Sequence, residues 1–183
     1  LVTGIKVVDL LAPSGIQVAG ISKAVCGSPD VAAAMLRGGA ARIGDSRVEN
    51  VTRLRVAGIT APLTLIRSPM QSQVQQTVLH ASTSMNTEAR VLDALSAAAV
   101  QLGVAHGVIL MVELGDLREG IAADDVVAAA QAVARSPGLT LEGIGTNLAC
   151  HSGVVPDQRK MDELSRLADA VEADTDVVVF SLV

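Results

Sequence analysis

Short apolar segments alternate with longer amphipathic segments along most of this 183-residue chain. The apolar segments predict β-strands and the amphipathic segments predict α-helices. Because strands that alternate with helices form parallel βαβ units, this order predicts an α/β fold. Strands that are apolar on both faces suit a sheet covered by helices. About six or seven such units in succession favour a TIM-like (β/α) barrel over an open sheet.

The predicted elements follow one another with short connections. Residues 28–30 (Ser-Pro-Asp) are expected to start a helix that residues 38–39 (Gly-Gly) end, and Asn86 is a candidate cap for a long helix. A complete eight-unit barrel takes about 200 to 250 residues. We therefore expect residues 1–183 to form one partial (β/α)8 barrel domain that is incomplete at its C-terminal end. The predicted strands lie at about 16–25, 41–44, 63–66, 80–85, 107–113, 139–148 and 176–183, and the predicted helices at about 29–38, 47–56, 71–79, 86–102, 123–135 and 156–173.

Composition and charge argue against several classes of protein. The net charge of −5 and the pI of about 5.1 lack the basic character of a nucleic-acid-binding protein, and no apolar segment reaches the ~20 residues that cross a bilayer. Cys26 and Cys150 predict no disulfide framework, so we expect two packed thiols in a cytoplasmic protein. The spacing of His80, His106 and His151 matches no metal-binding motif.

Lys23 is the most informative polar residue of the chain. It lies near the end of the largely apolar segment 16–25, which is typical of a buried strand. Burial of an ammonium group is costly or lowers the pKa of the lysine. A lysine with a lowered pKa is an amine nucleophile that forms Schiff bases with aldehydes. Alternatively, the side chain lies at the strand end and extends into water. The segment by itself leaves both interpretations open.

Polar residues follow almost every predicted strand. In (β/α) barrels the catalytic and binding residues lie at the carboxyl ends of the strands and in the loops after them. An amine, arginines, carboxylates and amides could therefore converge on one mouth of the barrel. The positions in question are Lys23, Asp45, Ser46, Arg67, Asn86, Glu113, Arg118 and Asn147.

Five of these strand-end segments resemble the motifs of one family. They are residues 18–27, 43–50, 65–70, 109–121 and 143–150. In this order they resemble the barrel of pyridoxal phosphate (PLP) proteins of the alanine racemase type, with most similarity to the ornithine racemase-like branch. The five segments occur in the order of the family's motifs, from about residue 15 to 155. The resemblance implies PLP as cofactor and an amino acid as substrate.

The resemblance also implies roles at the barrel mouth. Lys23 would hold PLP as a Schiff base and act as a base on one face of the substrate Cα. Arg118 would lie near the phenolic oxygen of the cofactor ring, and Asn147 would pack near that ring. The residues also have simpler interpretations: Arg118 as a surface partner of Asp116 or Glu119, and Asn147 as the cap of a turn.

Four further positions are candidates for the same site. The resemblance implies that Asp45 and Ser46 contact the cofactor or the lysine, although a helix N-cap explains Ser46 nearly as well. The Arg67 guanidinium could bind a substrate carboxylate through two hydrogen bonds, and a surface salt bridge is an equal alternative. Glu113 is expected to orient Arg118.

Three hypotheses of function follow. The first is a PLP-dependent amino-acid racemase, an isomerase that interconverts the L and D forms of ornithine or an alanine-like substrate and is a homodimer when full length. The second is a non-catalytic PLP-binding protein of PLP homeostasis. The third is a lyase or aldolase that uses Lys23 without cofactor. The chain lacks the family's C-terminal β-domain and phosphate-binding loops, and it contains no tyrosine to act as the second base of a racemase.

Overall fold

Seven parallel strands form one sheet in which each strand pairs with the next strand along the chain. The computed structural model describes residues 2–148, 153–175 and 180–182. Its strands are β1 (Ala19–Ile21), β2 (Arg42–Asp45), β3 (Leu63–Leu65), β4 (Thr83–Asn86), β5 (His106–Met111), β6 (Leu139–Gly145) and β7 (Phe180–Leu182). This sequential parallel order is the one that βαβ units produce, so the predicted α/β class is confirmed.

One helix precedes β1, and one helix connects each pair of consecutive strands from β1 to β7. The helices are α1 (Val2–Leu11), α2 (Pro29–Arg37), α3 (Val48–Val56), α4 (Val74–His80), α5 (Ala89–Leu102), α6 (Val126–Arg135) and α7 (Gln158–Thr175). Short 3₁₀ turns lie at 12–14, 23–25, 71–73 and 123–125. Within the described residues, none of the helices combines the length and the apolar character needed to cross a membrane.

An ion pair inside the sheet shows that the sheet is strongly curved. Arg42 begins β2, and its Nη1 lies 3.3 Å from Oε2 of Glu142 in β6. In a flat sheet these two strands would lie about 19 Å apart, since neighbouring strands are about 4.8 Å apart. Thr83 of β4 donates a hydrogen bond to the same carboxylate over 2.9 Å. The side chains of three strands therefore meet in the interior of a barrel-like sheet.

The helices cover the outer face of the sheet with aliphatic side chains. Every residue of β5 is buried, as expected for a strand that is enclosed on both faces. Two large apolar clusters join strands to helices. One contains Val108, Leu110, Val126, Ala130 and Val133, and the other contains Ala32, Ile43, Val51, Leu54 and Leu63.

Most predicted elements are confirmed, and their ends differ by a few residues. The α2 helix begins at Pro29 and ends at Arg37, just before Gly38. The predicted cap at Asn86 is wrong because Asn86 is the last residue of β4 and α5 begins only at Ala89. The Asn86 amide instead donates hydrogen bonds to the carbonyl and the hydroxyl of Ser84.

The N-terminal region differs most from the prediction. Residues 16–25 were expected to form one buried strand, but β1 covers only Ala19–Ile21 and a 3₁₀ turn follows at Lys23–Val25. The Ser22 carbonyl accepts hydrogen bonds from the amides of Val25 and Gly27, so the chain turns back instead of remaining extended. The α1 helix was not predicted, because its sequence carries no N-cap signal and no charged face.

Candidate functional site

Lys23 lies immediately beyond β1, at the carboxyl end of the sheet. Ser22 extends the strand by one hydrogen bond, from its amide to the Gly44 carbonyl over 2.9 Å, and Lys23 then opens the 3₁₀ turn. The Lys23 side chain is exposed, whereas Ser22 is fully buried. Of the two interpretations left open for Lys23, the structure therefore supports the exposed side chain at the strand end, since β1 ends two residues earlier and Ser22 is the buried residue.

The Lys23 amine has no hydrogen-bond or ion-pair partner within the described ranges 2–148, 153–175 and 180–182. Ile21, two residues earlier, lies close to Ile66 and to Gly44: a Cβ added to Gly44 would lie 2.8 Å from Ile21 Cδ1 and 2.9 Å from Ile66 Cγ2. These isoleucines face the barrel interior just below the mouth. An apolar wall therefore lies at the end of β1, below the turn that carries Lys23.

Asp45 supports the turn that carries Lys23. Its carboxylate is buried, with 1% of the residue exposed. Oδ2 accepts a 2.7 Å hydrogen bond from the Ser22 hydroxyl. Oδ1 accepts two more, from the Arg47 amide and from Asn50 Nδ2, both at 3.0 Å. A buried carboxylate needs such donors, and here all three donors lie in the turn or at the start of α3.

Asn50 and Arg53 of α3 contact the other side of the same turn. Arg53 donates a hydrogen bond from Nη1 to the Cys26 carbonyl, and Asn50 packs so closely against Gly27 that a Cβ at Gly27 would lie 2.7 Å from Asn50 Cβ. Gly27 also has a φ of +63°, which favours glycine. The Lys23 turn is therefore held from below and from one side by the β2–α3 unit.

The loop after β5 carries Arg118 and forms its own ion-pair cluster. Arg118 Nη2 lies 2.9 Å from Glu119 Oε1, and Arg118 Nε lies 3.7 Å from Asp116 Oδ2. Glu113 was expected to orient Arg118, but its carboxylate accepts a hydrogen bond from the Gly115 amide. Asp116 and Glu119 therefore hold the guanidinium by ion pairs.

The base of this loop is closed by a tight backbone crossing. The Glu113 amide donates to the Ile121 carbonyl over 3.0 Å, and the Ile121 amide donates to the Met111 carbonyl over 2.7 Å. Gly120 has a φ of +148°, and a Cβ there would lie 2.4 Å from the Glu113 nitrogen. Only glycine fits this crossing, so the path of the Arg118 loop depends on Gly120.

The remaining predicted positions lie at the same end of the sheet. Arg67 is exposed two residues after β3, Ser46 is half-buried directly after β2, and Asn147 is half-buried two residues after β6. Their roles in binding stay predictions. Parallel strands bring all these positions to one edge. That edge therefore gathers an amine, two guanidiniums, a hydroxyl and an amide around one barrel mouth.

A buried polar cluster near the start of β5 was not predicted. The Ser84 hydroxyl accepts a hydrogen bond from Asn86 and lies 2.8 Å from Nε2 of His106. Burial lowers the pKa of His106 to about 4, and a hydrogen bond with the Ala81 backbone partly opposes this effect. His106 is therefore a neutral core residue at neutral pH.

The structure describes one of the two cysteines, and it tests the predicted packing of that thiol. Cys26 is exposed with a φ of +52°, so its predicted packing in the core is wrong; its place in the turn keeps it at the surface. Cys150 and His151 lie outside the described residues. Among residues that are described, no group of three or more His, Cys, Asp or Glu side chains could hold a metal ion.

Comparison with known proteins decides the family. A family model for the N-terminal domain of alanine racemase matches residues 5–182. The chain belongs to the alanine racemase N-terminal domain family. Within it, the chain is 31% identical to lysine racemase of Thermotoga maritima over 167 residues and 34% identical to ornithine racemase of Acetoanaerobium sticklandii over 165 residues.

The matched region of this alanine racemase-type domain is about half of each of these two racemases. The alignments cover 91% and 90% of the chain but only 46% of the lysine racemase and 45% of the ornithine racemase. Among solved structures, PipY of Synechococcus elongatus PCC7942 without PLP has a TM-score of 0.81 at 16% identity, over 98% of this chain and 86% of PipY. At that identity the likeness shows the fold alone.

Proposed function

We propose that this chain is the PLP-holding barrel of an amino-acid racemase. The observation that carries the proposal is the exposed, unpartnered amine of Lys23 at the barrel mouth. A primary amine is the group that binds the aldehyde of PLP, and PipY has also been solved with PLP bound. The lysine racemase and the ornithine racemase, at 31% and 34% identity, are racemases by name, which supports the same reaction for the full-length protein.

The residues at the mouth suit PLP chemically. Lys23 offers an amine to the aldehyde, and Arg118 offers a fixed cation to the phenolic oxygen, since the carboxylates of Asp116 and Glu119 hold its guanidinium. Ile21 and Ile66 give an apolar wall below these groups. When bound, PLP supplies an electron sink for the negative charge that develops on the substrate Cα.

Lys23 would hold the cofactor and then take the Cα proton at Nζ. The exposed turn lets Nζ move between these two tasks while the backbone below stays hydrogen-bonded. A racemase also needs a proton donor on the opposite face of Cα. The 183 residues contain no tyrosine, so a tyrosine in this role would come from elsewhere in the full-length protein or from a partner subunit. We expect a homodimer, which light scattering on the full-length protein would test.

We propose a basic amino acid as the substrate class. Both relatives above 30% identity that cover nine-tenths of this chain act on diamino acids, lysine and ornithine, by their names. Asp116 and Glu119 supply two negative charges against the single positive charge of Arg118. The Arg118 cluster therefore carries a net negative charge, which favours a cationic side chain nearby over a neutral one, because opposite charges attract strongly at short range.

A PLP carrier without turnover is the second candidate. It is supported by the fold, because PipY, which matches this chain with a TM-score of 0.81, has been solved both without and with PLP bound. Such a protein would use Lys23 in the same way and would need no second proton donor. Both candidates therefore share the cofactor and differ in turnover.

The two candidates are separated by incubating full-length protein and PLP with single L-amino acids and resolving the products on a chiral column. The racemase proposal predicts D-ornithine or D-lysine from the L form, with far less D-alanine from L-alanine. Visible absorbance from bound PLP with no D-isomer from any amino acid would support the carrier instead. No PLP binding at all would overturn both candidates.

A further inference from the structure

The exposed lysine lies on a turn whose backbone is fixed by buried polar contacts. Residues 23–26 are all exposed, and an exposed four-residue turn is normally mobile. Here the residues on either side of it, Ser22 and Gly27, are buried. The turn therefore combines a free side chain with two anchored ends.

Three side chains of the β2–α3 unit provide the anchors. We call them the turn clamp, and they are Asp45, Asn50 and Arg53. Asp45 accepts the Ser22 hydroxyl at 2.7 Å and Asn50 Nδ2 at 3.0 Å. Arg53 Nη1 donates to the Cys26 carbonyl and also lies 3.5 Å from Asn50 Oδ1. The clamp is one connected network that touches the turn before and after Lys23.

We propose that the turn clamp positions Lys23 for capture of the cofactor, so that its residues are positioning residues and not cofactor ligands. Both carboxylate oxygens of Asp45 accept hydrogen bonds, from Ser22, Arg47 and Asn50. Asp45 therefore acts on Lys23 through Ser22. This inference rests on the proposed PLP function of Lys23. It reassigns Asp45, for which family resemblance implies contact with the cofactor or the lysine itself.

Positioning matters for a flexible side chain. Lysine has four rotatable side-chain bonds, so a mobile backbone would spread Nζ over a large volume. Reactions between held groups are sensitive to placement, and an error of about 1 Å can lower a rate about 100-fold. A fixed Cα restricts Nζ to the volume above the barrel mouth, which raises the local concentration of amine at the bound aldehyde.

Arg55 provides a matched control for Arg53. Both arginines lie on α3, two residues apart. Arg55 donates to the carbonyls of His80 and Ile59 over 3.2 and 2.8 Å, at the opposite end of the sheet from Lys23. Loss of either guanidinium removes hydrogen bonds to backbone carbonyls, but only Arg53 contacts the turn.

The test compares full-length wild type with Arg53→Gln, Asp45→Asn and Arg55→Gln. The dissociation constant for PLP is measured by visible absorbance, and amide hydrogen exchange of residues 22–28 is measured in the apo proteins. The clamp predicts PLP binding that is about 10-fold weaker in Asp45→Asn and about 3- to 10-fold weaker in Arg53→Gln. It also predicts faster exchange of the turn amides in both variants. Arg55→Gln should match wild type in both measurements, and Arg53→Lys should recover part of the binding.

Each outcome of this test decides the proposal. The clamp proposal would be overturned if folded Arg53→Gln bound PLP and exchanged its turn amides as wild type does. This result would decide the matter even if Asp45→Asn were too unstable to purify. Equal weakening by Arg55→Gln would overturn it too, because the effect would then be general loss of stability. If wild type fails to bind PLP, the proposed function fails. The hydrogen-exchange result is then read by itself: faster exchange of the turn amides in the apo variants supports the clamp, and unchanged exchange overturns it.

Discussion

Arg42 at one end of the barrel and Lys23 at the other differ in whether their charge has a partner. At the amino end, Arg42 and Glu142 form an ion pair across the interior, and Thr83 donates to the same carboxylate. At the carboxyl end, Lys23 has no partner in the described part of the chain. The first arrangement satisfies its charges within the protein. The second leaves an amine available to a ligand, which is the division between stability and chemistry expected of (β/α) barrels.

The largest expected effect comes from removing the free amine. Lys23→Ala should abolish stable PLP binding and lower racemisation by at least about 1,000-fold, because a Schiff base with the aldehyde needs a primary amine and the variant removes the unpartnered one at the mouth. Since the side chain is exposed, the melting temperature measured without PLP should change little. Visible absorbance, chiral chromatography and calorimetry measure the three quantities.

Lys160→Ala is the matched control for Lys23→Ala. Lys160 Nζ already lies 2.9 Å from Asp157 Oδ2 in an ion pair, so its loss should leave PLP binding and racemisation unchanged. Equal loss of PLP binding in both variants would contradict the special position of Lys23.

A second variant tests whether the Arg118 loop depends on its backbone crossing. Gly120→Ala should destabilise the protein by about 3 kcal/mol and disorder the loop, because its Cβ would collide with the Glu113 nitrogen. Gly58→Ala is the control, since Gly58 also has a positive φ but no atom lies within 4 Å of an added Cβ. It should cost only about 1 kcal/mol. Urea unfolding measures both, and equal losses would contradict the steric explanation.

The third prediction concerns pH and the buried histidine. Folding holds the pKa of His106 at about 4, against 6.5 in the unfolded chain. The unfolded chain therefore binds a proton at higher pH than the folded chain, and acidification from pH 6.5 to 4 favours unfolding. Protonation of His106 in the unfolded chain should lower the free energy of unfolding by about 2 kcal/mol as the pH falls from about 7.5 to 5.

Urea unfolding at several pH values, with His106→Gln as the comparison, checks this contribution. The variant should be less stable at neutral pH because it disturbs the contact with Ser84, but its stability should fall less on acidification. Identical pH slopes for the two proteins would assign the acid sensitivity to other groups.

The smallest effect is expected at the amino end of the barrel. Glu142→Gln should cost about 1 kcal/mol, since the paired side chains of Arg42 and Glu142 are 30% and 32% exposed and solvent screens them. PLP affinity should stay at the wild-type value. A loss of PLP affinity without a loss of stability would contradict the view that the amino end serves stability and the carboxyl end binds PLP.

The sequence predicted the elements better than it predicted their contacts. The order of strands and helices followed from local apolar patterns, and the positions at the barrel mouth followed from the general geometry of parallel barrels. The contact of Ser22 with Asp45 and the ion pair of Arg42 with Glu142 join residues far apart in sequence. No local pattern encodes such contacts.

The wrong predictions have physical causes. Residues 16–25 are apolar enough for a strand, but the Ser22 hydroxyl bonds to Asp45 and its carbonyl bonds back to Gly27, which ends the strand early. Asn86 is a good helix cap by residue type, but its amide is used by Ser84. The Ser22 partner is distant in sequence, whereas the Asn86 partner lies two residues away in the same strand.

Borohydride reduction in the presence of PLP tests the central claim most directly. The chain contains three lysines, Lys6, Lys23 and Lys160, so peptide mass mapping can locate the fixed cofactor. We expect PLP on Lys23 alone and none on the Lys23→Ala protein. PLP on another lysine, no PLP on any lysine, or fixation of a carbonyl substrate on Lys23 without PLP would contradict the account.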